Sequence, residues 1–166
     1  LQSDKFHLFR ESGKFIDSHT VELGDSGTRL TADKILISTG SRVAVPTVPG
    51  LKEAPFWTSD HILELDQLPP KIIVLGGGVV ACELAQYLHR IGSEVIQIQR
   101  SPTILKEFST EAGQAVAGAF EAEGLQLYTD TSLETIEYED GEFTVTFTHE
   151  DGKKKVAAPH LLNALG

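Results

Sequence analysis

The chain has 166 residues, of which 40% are hydrophobic and 23% charged, and its formal net charge at pH 7 is −10. This composition is that of a globular protein, and the negative charge argues against a nucleic-acid partner and against binding to anionic membranes. No apolar run is long enough to cross a membrane and no signal-peptide pattern opens the sequence, so we expect a soluble, cytoplasmic protein.

The first part of the chain is predicted to be rich in β-structure. Short runs of apolar and β-branched residues alternate there with turn-forming glycine, aspartate and serine. The pattern predicts strands over 6–9, 14–16, 20–23, 28–30 and 34–38.

A connector follows this β-rich part. Pro46, Pro49 and Pro55 exclude a helix over 42–57, which we expect to be extended. Thr58 can cap a short helix that runs to about residue 65, and Pro69-Pro70 closes it.

The segment 71–92 predicts a strand, a tight turn and a helix. The apolar run 71–75 is typical of a buried parallel strand, and three glycines, Gly76 to Gly78, follow it at once. A second strand is predicted over 94–99. Between them, apolar residues recur at helical spacing until Gly92 ends the helix, and they are Val80, Leu84, Leu88 and Ile91.

The glycines match the turn that binds the pyrophosphate of a dinucleotide. Gly76 permits the turn, Gly78 lets the backbone approach a pyrophosphate, and Ala81 is the small residue at which helix and strand touch. The N-terminus of the helix then faces the phosphates with its free N–H groups. A glycine-rich turn of another α/β protein is the alternative, and the strand before and the helix and strand after favour the nucleotide site.

The rest of the sequence completes an α/β domain. After a loop over 100–105, a helix is predicted over 109–123 and a third strand over 125–128. Antiparallel strands are predicted over 135–138, 142–148 and 154–157. We therefore expect a Rossmann-like fold with a central parallel sheet, helices on both sides and an antiparallel β-meander. The buried face of the helix over 109–123 is predicted to carry Ala112, Val116, Ala119 and Phe120.

The end of the sequence repeats its beginning. The segments 32–40 and 158–166 both start with alanine, have apolar residues at their fourth and fifth positions and end on glycine. Hairpin-forming strands precede each of them. Two such closing strands imply two dinucleotide-binding domains, with the chain carrying the tail of one and nearly all of the other.

Several motifs resemble those of the FAD-dependent pyridine nucleotide–disulfide oxidoreductases, and most closely the mercuric reductase and dihydrolipoamide dehydrogenase group. Thr39-Gly40-Ser41 with the prolines that follow is similar to the family's ATG-S-x-P-x-x-P-x-x-PG stretch. The family's order continues in Thr58-Ser59-Asp60, Leu68-Pro69, the glycine segment 76–85 and the closing segment 162–166.

The resemblance implies a parent enzyme larger than this chain. Members of the family are homodimers in which NAD(P)H reduces FAD, and FAD reduces a cysteine pair. The FAD glycine motif, the Cys-x4-Cys pair and the dimerisation domain of the family do not occur in the sequence, so we expect an excised domain that is inactive by itself. The resemblance assigns 1–50 to the end of the FAD-binding domain, 51–70 to a connector with a short helix, and 71–166 to the NAD(P)-binding domain.

The residues that end the second strand distinguish NADP from NAD. NAD sites place Asp or Glu there for the ribose 2′-hydroxyl, whereas an arginine suits the 2′-phosphate. Here Gln99 is followed by Arg100 and Ser101, and a guanidinium can hold phosphate by two charge-assisted hydrogen bonds. We therefore predict NADP ahead of NAD, with a solvated Arg100 as the alternative.

Two further residues of the helix predicted after the glycine turn are candidates for a functional role. In the family, the glutamate at the position of Glu83 lies near the nicotinamide and pairs with a lysine of the FAD domain, while the residues alone predict a solvated acid at the start of a helix. Cys82 is the only cysteine, which excludes an intramolecular disulfide, and we expect it to pack beneath the loop.

The motifs and the resemblance together give a set of cofactor-binding residues and no catalytic or metal-binding ones. The six histidines lack the spacing of metal ligands. Two alternatives remain open, an NAD-using parent like dihydrolipoamide dehydrogenase and a non-catalytic nucleotide-binding module. The predicted cofactor contacts are Thr39, Gly40, Gly76, Gly78, Val79, Val80, Ala81, Glu83, Gln99, Arg100, Ser101 and Gly166.

Overall fold

The computed structural model describes residues 6–150 and 152–165, and the chain divides into two compact units, 1–41 and 42–166. The predicted division at residue 50 concerns the parental origin of each segment, which contacts within the chain do not test, and it stays a prediction. No helix of the described residues is both long enough and apolar enough to span a membrane.

The first unit holds a small antiparallel sheet. Its strands are β1 (Gly13–Phe15), β2 (Thr20–Leu23) and β3 (Arg29–Thr31), paired in that order. They lie within one residue of the strands predicted over 14–16, 20–23 and 28–30. Among the described residues of this unit, Leu23 is the buried hydrophobic one.

Two other strands predicted for the first unit are wrong. Residues 6–9 show only an isolated bridge at Phe6, and 34–38 form no strand. Leu36 is 91% exposed and Ile37 66% exposed. An apolar strand forms when neighbouring strands pair with its backbone and another layer covers its side chains, and the described residues supply neither to 34–38.

The second unit contains a parallel sheet, three helices and a second antiparallel sheet. Its elements are α1 (Ser59–Leu63), β4 (Lys71–Leu75), α2 (Val79–Arg90), β5 (Glu94–Ile98), α3 (Thr110–Glu123), β6 (Gln126–Tyr128), β7 (Ser132–Glu139), β8 (Glu142–His149), β9 (Gly152–Ala158) and β10 (His160–Asn163).

The parallel sheet has the order β10-β4-β5-β6, and β7, β8 and β9 form the antiparallel β-meander. This confirms the predicted α/β fold class. The three helices pack on one face of the parallel sheet, in a core that contains Val74 and Val95. The β-meander covers the other face, where Ile73 and Ile96 lie in one core cluster with Phe147. The expectation of helices on both faces is wrong, because the β-meander takes the place of a helical layer.

The connector belongs to the second unit and forms no helix over 42–57, as predicted, but residues 49–53 make turns and are not extended. Leu51 is fully buried in the core beneath the β-meander, and the amide of Ile136 in β7 donates to the carbonyl of Pro49 at 2.9 Å. Trp57 forms a parallel bridge to Leu162 at the outer edge of β10, next to the N-cap Thr58 of α1.

Helices α2 and α3 have the predicted bounds within one residue, and their predicted faces are right only in part, since Leu88 and Phe120 are buried and Leu84 and Val116 pack against the core. In α2 the buried residues are Ala81, Cys82, Ala85 and Leu88, whereas Val80 and Ile91 are exposed. In α3 they are Gly113 and Phe120, whereas Ala112 and Ala119 are exposed. Small residues face the core in both helices because they let the helix axis approach its neighbours closely.

Candidate dinucleotide-binding site

A cavity of about 730 Å³ lies at the carboxyl-terminal edge of the parallel sheet. The loops that leave β4, β5 and β10 meet there, because parallel strands all end at the same edge. Its lining residues are Pro46, Thr47, Val48, Gly76, Gly77, Gly78, Val79, Gln99, Arg100, Ser101, Leu105, Lys106, Glu107, Phe108, Ser132, Leu133, Ala164 and Leu165.

The turn between β4 and α2 requires glycine at its first position. Gly76 has φ 120°, a conformation that side chains disfavour, and a Cβ added there would lie 2.4 Å from the carbonyl oxygen of Ala164. A Cβ on Gly77 would lie 2.7 Å from Cδ of Gln99. The turn therefore packs tightly against β5 and against the chain that leaves β10.

Gly78 differs from Gly76 in its backbone conformation and from both Gly76 and Gly77 in the space beside it. It is the N-cap of α2 with φ −76°, which any residue adopts, and a Cβ added there would meet no atom within 4 Å. Gly78 also has no side chain to bond the first amides of the helix. The first turn of α2 thus presents unpaired N–H groups and the positive end of the helix dipole beside open space, which suits a phosphate.

The second strand ends at the cavity as predicted. Gln99 is 7% exposed and packs on Gly77, whereas Arg100 is exposed and forms no ion pair with a described residue. Ser101 is half-buried, and its carbonyl accepts a hydrogen bond from the amide of Asp130 at 3.0 Å. The guanidinium of Arg100 is therefore available at the rim.

The loop between β5 and α3 forms one wall of the cavity. The amide of Leu105, which has φ 53°, donates to the carbonyl of Gly77 at 2.6 Å and so fixes this loop against the glycine turn. Lys106 follows directly, and its Nζ lies 3.7 Å from the Glu107 carboxylate. Phe108 is 59% exposed at the same wall.

Cations outnumber acids in the lining of the cavity, although the whole chain is acidic. Arg100 and Lys106 carry positive charge, and Glu107 is the acid. A locally positive site within a protein of net charge −10 favours an anionic ligand at this place.

Cys82 lies beneath the glycine turn. Burial raises the pKa of its thiol, so the sulfur stays protonated at neutral pH and is a poor nucleophile. This agrees with the expectation that Cys82 is a packing residue. Among the described residues, no group of histidine, cysteine, aspartate and glutamate is arranged to hold a metal ion.

The structure brings half of the predicted contacts together in the cavity. Val80 and Glu83 are exposed on α2 outside its lining, and Ala81 is fully buried against the sheet. Thr39 and Gly40 belong to the first unit and are exposed, and Gly166 lies outside the described residues. The predicted residues that line the cavity are Gly76, Gly78, Val79, Gln99, Arg100 and Ser101.

Sequence reasoning missed Gly77, Lys106, Phe108 and the connector residues 46–48. A general signal existed for Lys106 and Phe108, because loops that follow parallel strands line the ligand crevice of open α/β sheets. No such rule placed 46–48 at the cavity.

A parallel sheet that delivers a glycine turn and a helix N-terminus to one cavity defines a Rossmann-like domain. The chain belongs to the pyridine nucleotide-disulphide oxidoreductase family, whose model matches residues 1–166. This confirms the family resemblance, and the family is FAD- and NAD(P)-dependent.

Individual relatives agree with this assignment. The chain is 38% identical over 162 residues to a mercuric reductase of Bacillus cereus, a match that covers 97% of the chain and 25% of that protein. Identity to the mercuric reductase of Acidithiobacillus ferrooxidans is also 38%, over 96% of the chain and 29% of that protein. The chain thus spans between a quarter and a third of the length of these relatives.

Solved structures show the same fold. The HOCl-induced flavoprotein disulfide reductase RclA from Escherichia coli superposes with a TM-score of 0.77 at 25% identity. The superposition covers 94% of this chain and 35% of that one.

Proposed function

We propose that this chain is the pyridine-nucleotide-binding part of a flavoprotein disulfide oxidoreductase, and that it positions NADPH for hydride transfer to FAD. When bound, the nicotinamide supplies the hydride, and the flavin belongs to the parent protein. The chain's own share is to anchor the dinucleotide and to orient it.

One observation carries the proposal. The turn at Gly76–Gly78 and the first turn of α2 lie at a cavity of about 730 Å³, and the space next to Gly78 is open. A diphosphate fits such a place because backbone N–H groups and the helix dipole both favour negative charge there. The described residues therefore suit the pyrophosphate of a dinucleotide.

The preference for NADP over NAD rests on the rim of the cavity. Gln99 stands where NAD sites carry an acid, and Arg100 with Lys106 offers two cations to a 2′-phosphate. Lys106 supports the preference for NADP that the sequence predicted from Gln99, Arg100 and Ser101.

The proposal extends to the parent protein. Its FAD domain contributes Thr39 and Gly40 near the flavin, Glu83 faces the nicotinamide, and Gly166 is a further cofactor-binding residue. The parent is a cytoplasmic homodimer that acts on a sulfur group and uses neither nucleic acid nor membrane as a partner. The chain by itself is inactive.

The test is calorimetric titration of the 166-residue chain with NADP⁺ and with NAD⁺. We expect NADP⁺ to bind about tenfold more tightly, a difference of about 1.4 kcal/mol. Arg100→Ala and Lys106→Ala each weaken NADP⁺ binding and leave NAD⁺ binding unchanged, because each removes a cation from the phosphate. Lys155→Ala is the matched control, since Lys155 is exposed on β9 away from the cavity.

Other results of these measurements would favour one of the alternative functions. Tighter binding of NAD⁺, with no effect of Arg100→Ala, would favour an NAD-using parent like dihydrolipoamide dehydrogenase. Binding without a Cys-x4-Cys pair in the full gene would favour a non-catalytic module. A chain that binds neither nucleotide would refute the proposed function.

A further inference from the structure

Gln97 is a fully buried polar residue beneath the glycine turn, and it does not itself line the cavity. It lies on β5, on the same face of the sheet as Val95 in the helix-side core. Its Nε2 donates to the carbonyl of Gly76 at 2.9 Å and lies 3.7 Å from Sγ of Cys82. Sγ of Cys82 lies 3.6 Å from the carbonyl oxygen of Gly77.

Only one end of the Gln97 side-chain amide is paired. The Oε1 atom of Gln97 is buried and has no hydrogen-bond partner among the described residues. The unpaired Oε1 opposes folding, whereas the Nε2 donor of the same side chain favours it by pairing with the carbonyl of Gly76, which is itself buried. The side chain is therefore specified by its hydrogen bond to the glycine turn as well as by packing.

The hydrogen bonds of this network fix how the peptide groups of the turn are oriented. No peptide bond of the described chain is cis, and in a trans peptide the carbonyl oxygen and the next amide hydrogen point in opposite directions. Gln97 holds the carbonyl of Gly76, and Leu105 with Cys82 holds the carbonyl of Gly77. The amides of Gly77 and Gly78 consequently point away from the groups that hold these two carbonyls.

We propose that Gln97 is a positioning residue for the nucleotide site, and that it aims the amides of the glycine turn by holding the carbonyl of Gly76 through its Nε2. Cys82 relays the same network to the carbonyl of Gly77. The inference rests on the proposed function, since it names what orients the donors to the pyrophosphate.

The experiment compares the wild-type chain with Gln97→Met, which keeps the volume and removes the hydrogen bonds. Thr146→Val is the matched control, because Thr146 is a buried polar residue of β8 that does not line the cavity. Calorimetry with NADP⁺, thermal unfolding and ¹⁵N–¹H spectra of the ligand-free chains are recorded for all three proteins.

In Gln97→Met we expect NADP⁺ affinity to fall about fivefold to tenfold, while the protein stays folded with a modestly lower unfolding midpoint, because the buried carbonyl of Gly76 loses its donor. The amide peaks of Gly77 and Gly78 move or broaden, and those of Gly118 and Gly141 do not. Thr146→Val leaves both the affinity and the glycine peaks unchanged.

Three results would overturn the inference. If Gln97→Met binds NADP⁺ as well as wild type, the inference is wrong and the proposed function is unaffected. A variant that fails to fold makes Gln97 a packing residue. If wild type binds no dinucleotide, the proposed function is wrong. The spectra of the ligand-free chains then still test the role of Gln97, because unchanged Gly77 and Gly78 peaks would mean that Gln97 does not orient the turn.

Discussion

At the scale of single residues, two glycines of the same turn, Gly76 and Gly78, are under different structural constraints. Gly76 is required by the protein itself, through its φ of 120° and the 2.4 Å between an added Cβ and Ala164. Gly78 is required by nothing in the described protein, since its φ is ordinary and the space beside it is open. The simplest reason for glycine at 78 is a ligand that approaches closely.

This difference predicts that one alanine substitution weakens ligand binding and the other lowers stability. Gly78→Ala should keep the unfolding midpoint and weaken NADP⁺ binding about tenfold, roughly 1.4 kcal/mol, because the methyl group occupies the place of the pyrophosphate. Gly76→Ala should lower the free energy of unfolding by about 1–3 kcal/mol. Thermal melts and calorimetry on both variants check this, and wild-type affinity in Gly78→Ala would contradict it.

The sequence predicted the glycine turn because its spacing is a local pattern with a known geometry. Arg100 and Ser101 were likewise found at the cavity because the position after the second strand has a fixed place in the fold. Gln97 and Lys106 were not found. The role of Gln97 depends on a contact with the loop that leaves another strand, which its neighbours in the sequence do not encode, whereas the place of Lys106 in a loop after a parallel strand offered a general signal.

At the scale of elements, helix ends were more predictable than helix faces. The hydroxyl of Ser109 accepts from the amide of Ala112 at 3.3 Å, and Gly124 ends α3 in the left-handed region at φ 87°. Which face of a helix is buried depends instead on the elements that pack against it. A Cβ on Gly113 would lie 2.5 Å from the carbonyl oxygen of Ile104, so the residue most closely packed there is the smallest one.

The contact between the ends of α2 and α3 leads to a pH prediction. Arg90 donates from Nε to the Glu123 carboxylate at 3.0 Å, and Gln86 donates to it at 3.1 Å. The hydrogen bond from Arg90 lowers the pKa of Glu123 below its ordinary 4.5. A lowered folded-state pKa stabilises the protein above the ordinary value, and this stabilisation is lost as the pH falls through the lowered pKa.

We therefore expect Glu123→Gln to melt a few degrees below wild type at pH 7, and the difference to disappear in acid, once the pH has fallen below the lowered pKa of Glu123. Glu121→Gln is the control, since Glu121 is exposed at the same helix end and lacks an ion pair within the described residues. It should not lower the midpoint at either pH. A gap that persists in acid would show that Glu123 acts through packing.

At the scale of the whole molecule, the buried core is distributed unevenly along the chain. Both large clusters of buried side chains lie entirely within 42–166, whereas the described residues of the first unit bury Leu23. The α/β class was predictable because strand and helix periods are local. The failure at 34–38 was not foreseeable from the segment itself, since an apolar run forms a strand only where partner strands exist.

This distribution predicts that residues 42–166 fold and bind nucleotide without residues 1–41. Trp57 is the only tryptophan, and its ring stacks on His160 at 4.2 Å, so its fluorescence reports the folding of the second unit. Urea unfolding followed by Trp57 emission should give the same midpoint for the shortened and the full chain, because no cluster of the larger core is cut. NADP⁺ affinity should agree within about twofold.

The full chain and the Arg100→Ala variant of the shortened chain are the controls for folding and for site-specific binding. A lower midpoint after removal of 1–41 would show that these residues stabilise 42–166 without belonging to either cluster of its core. Lost affinity at an unchanged midpoint would show instead that 1–41 supplies a contact to the nucleotide. Agreement in both measurements would place anchoring of the dinucleotide wholly within the sheet, the glycine turn and the loops of 42–166.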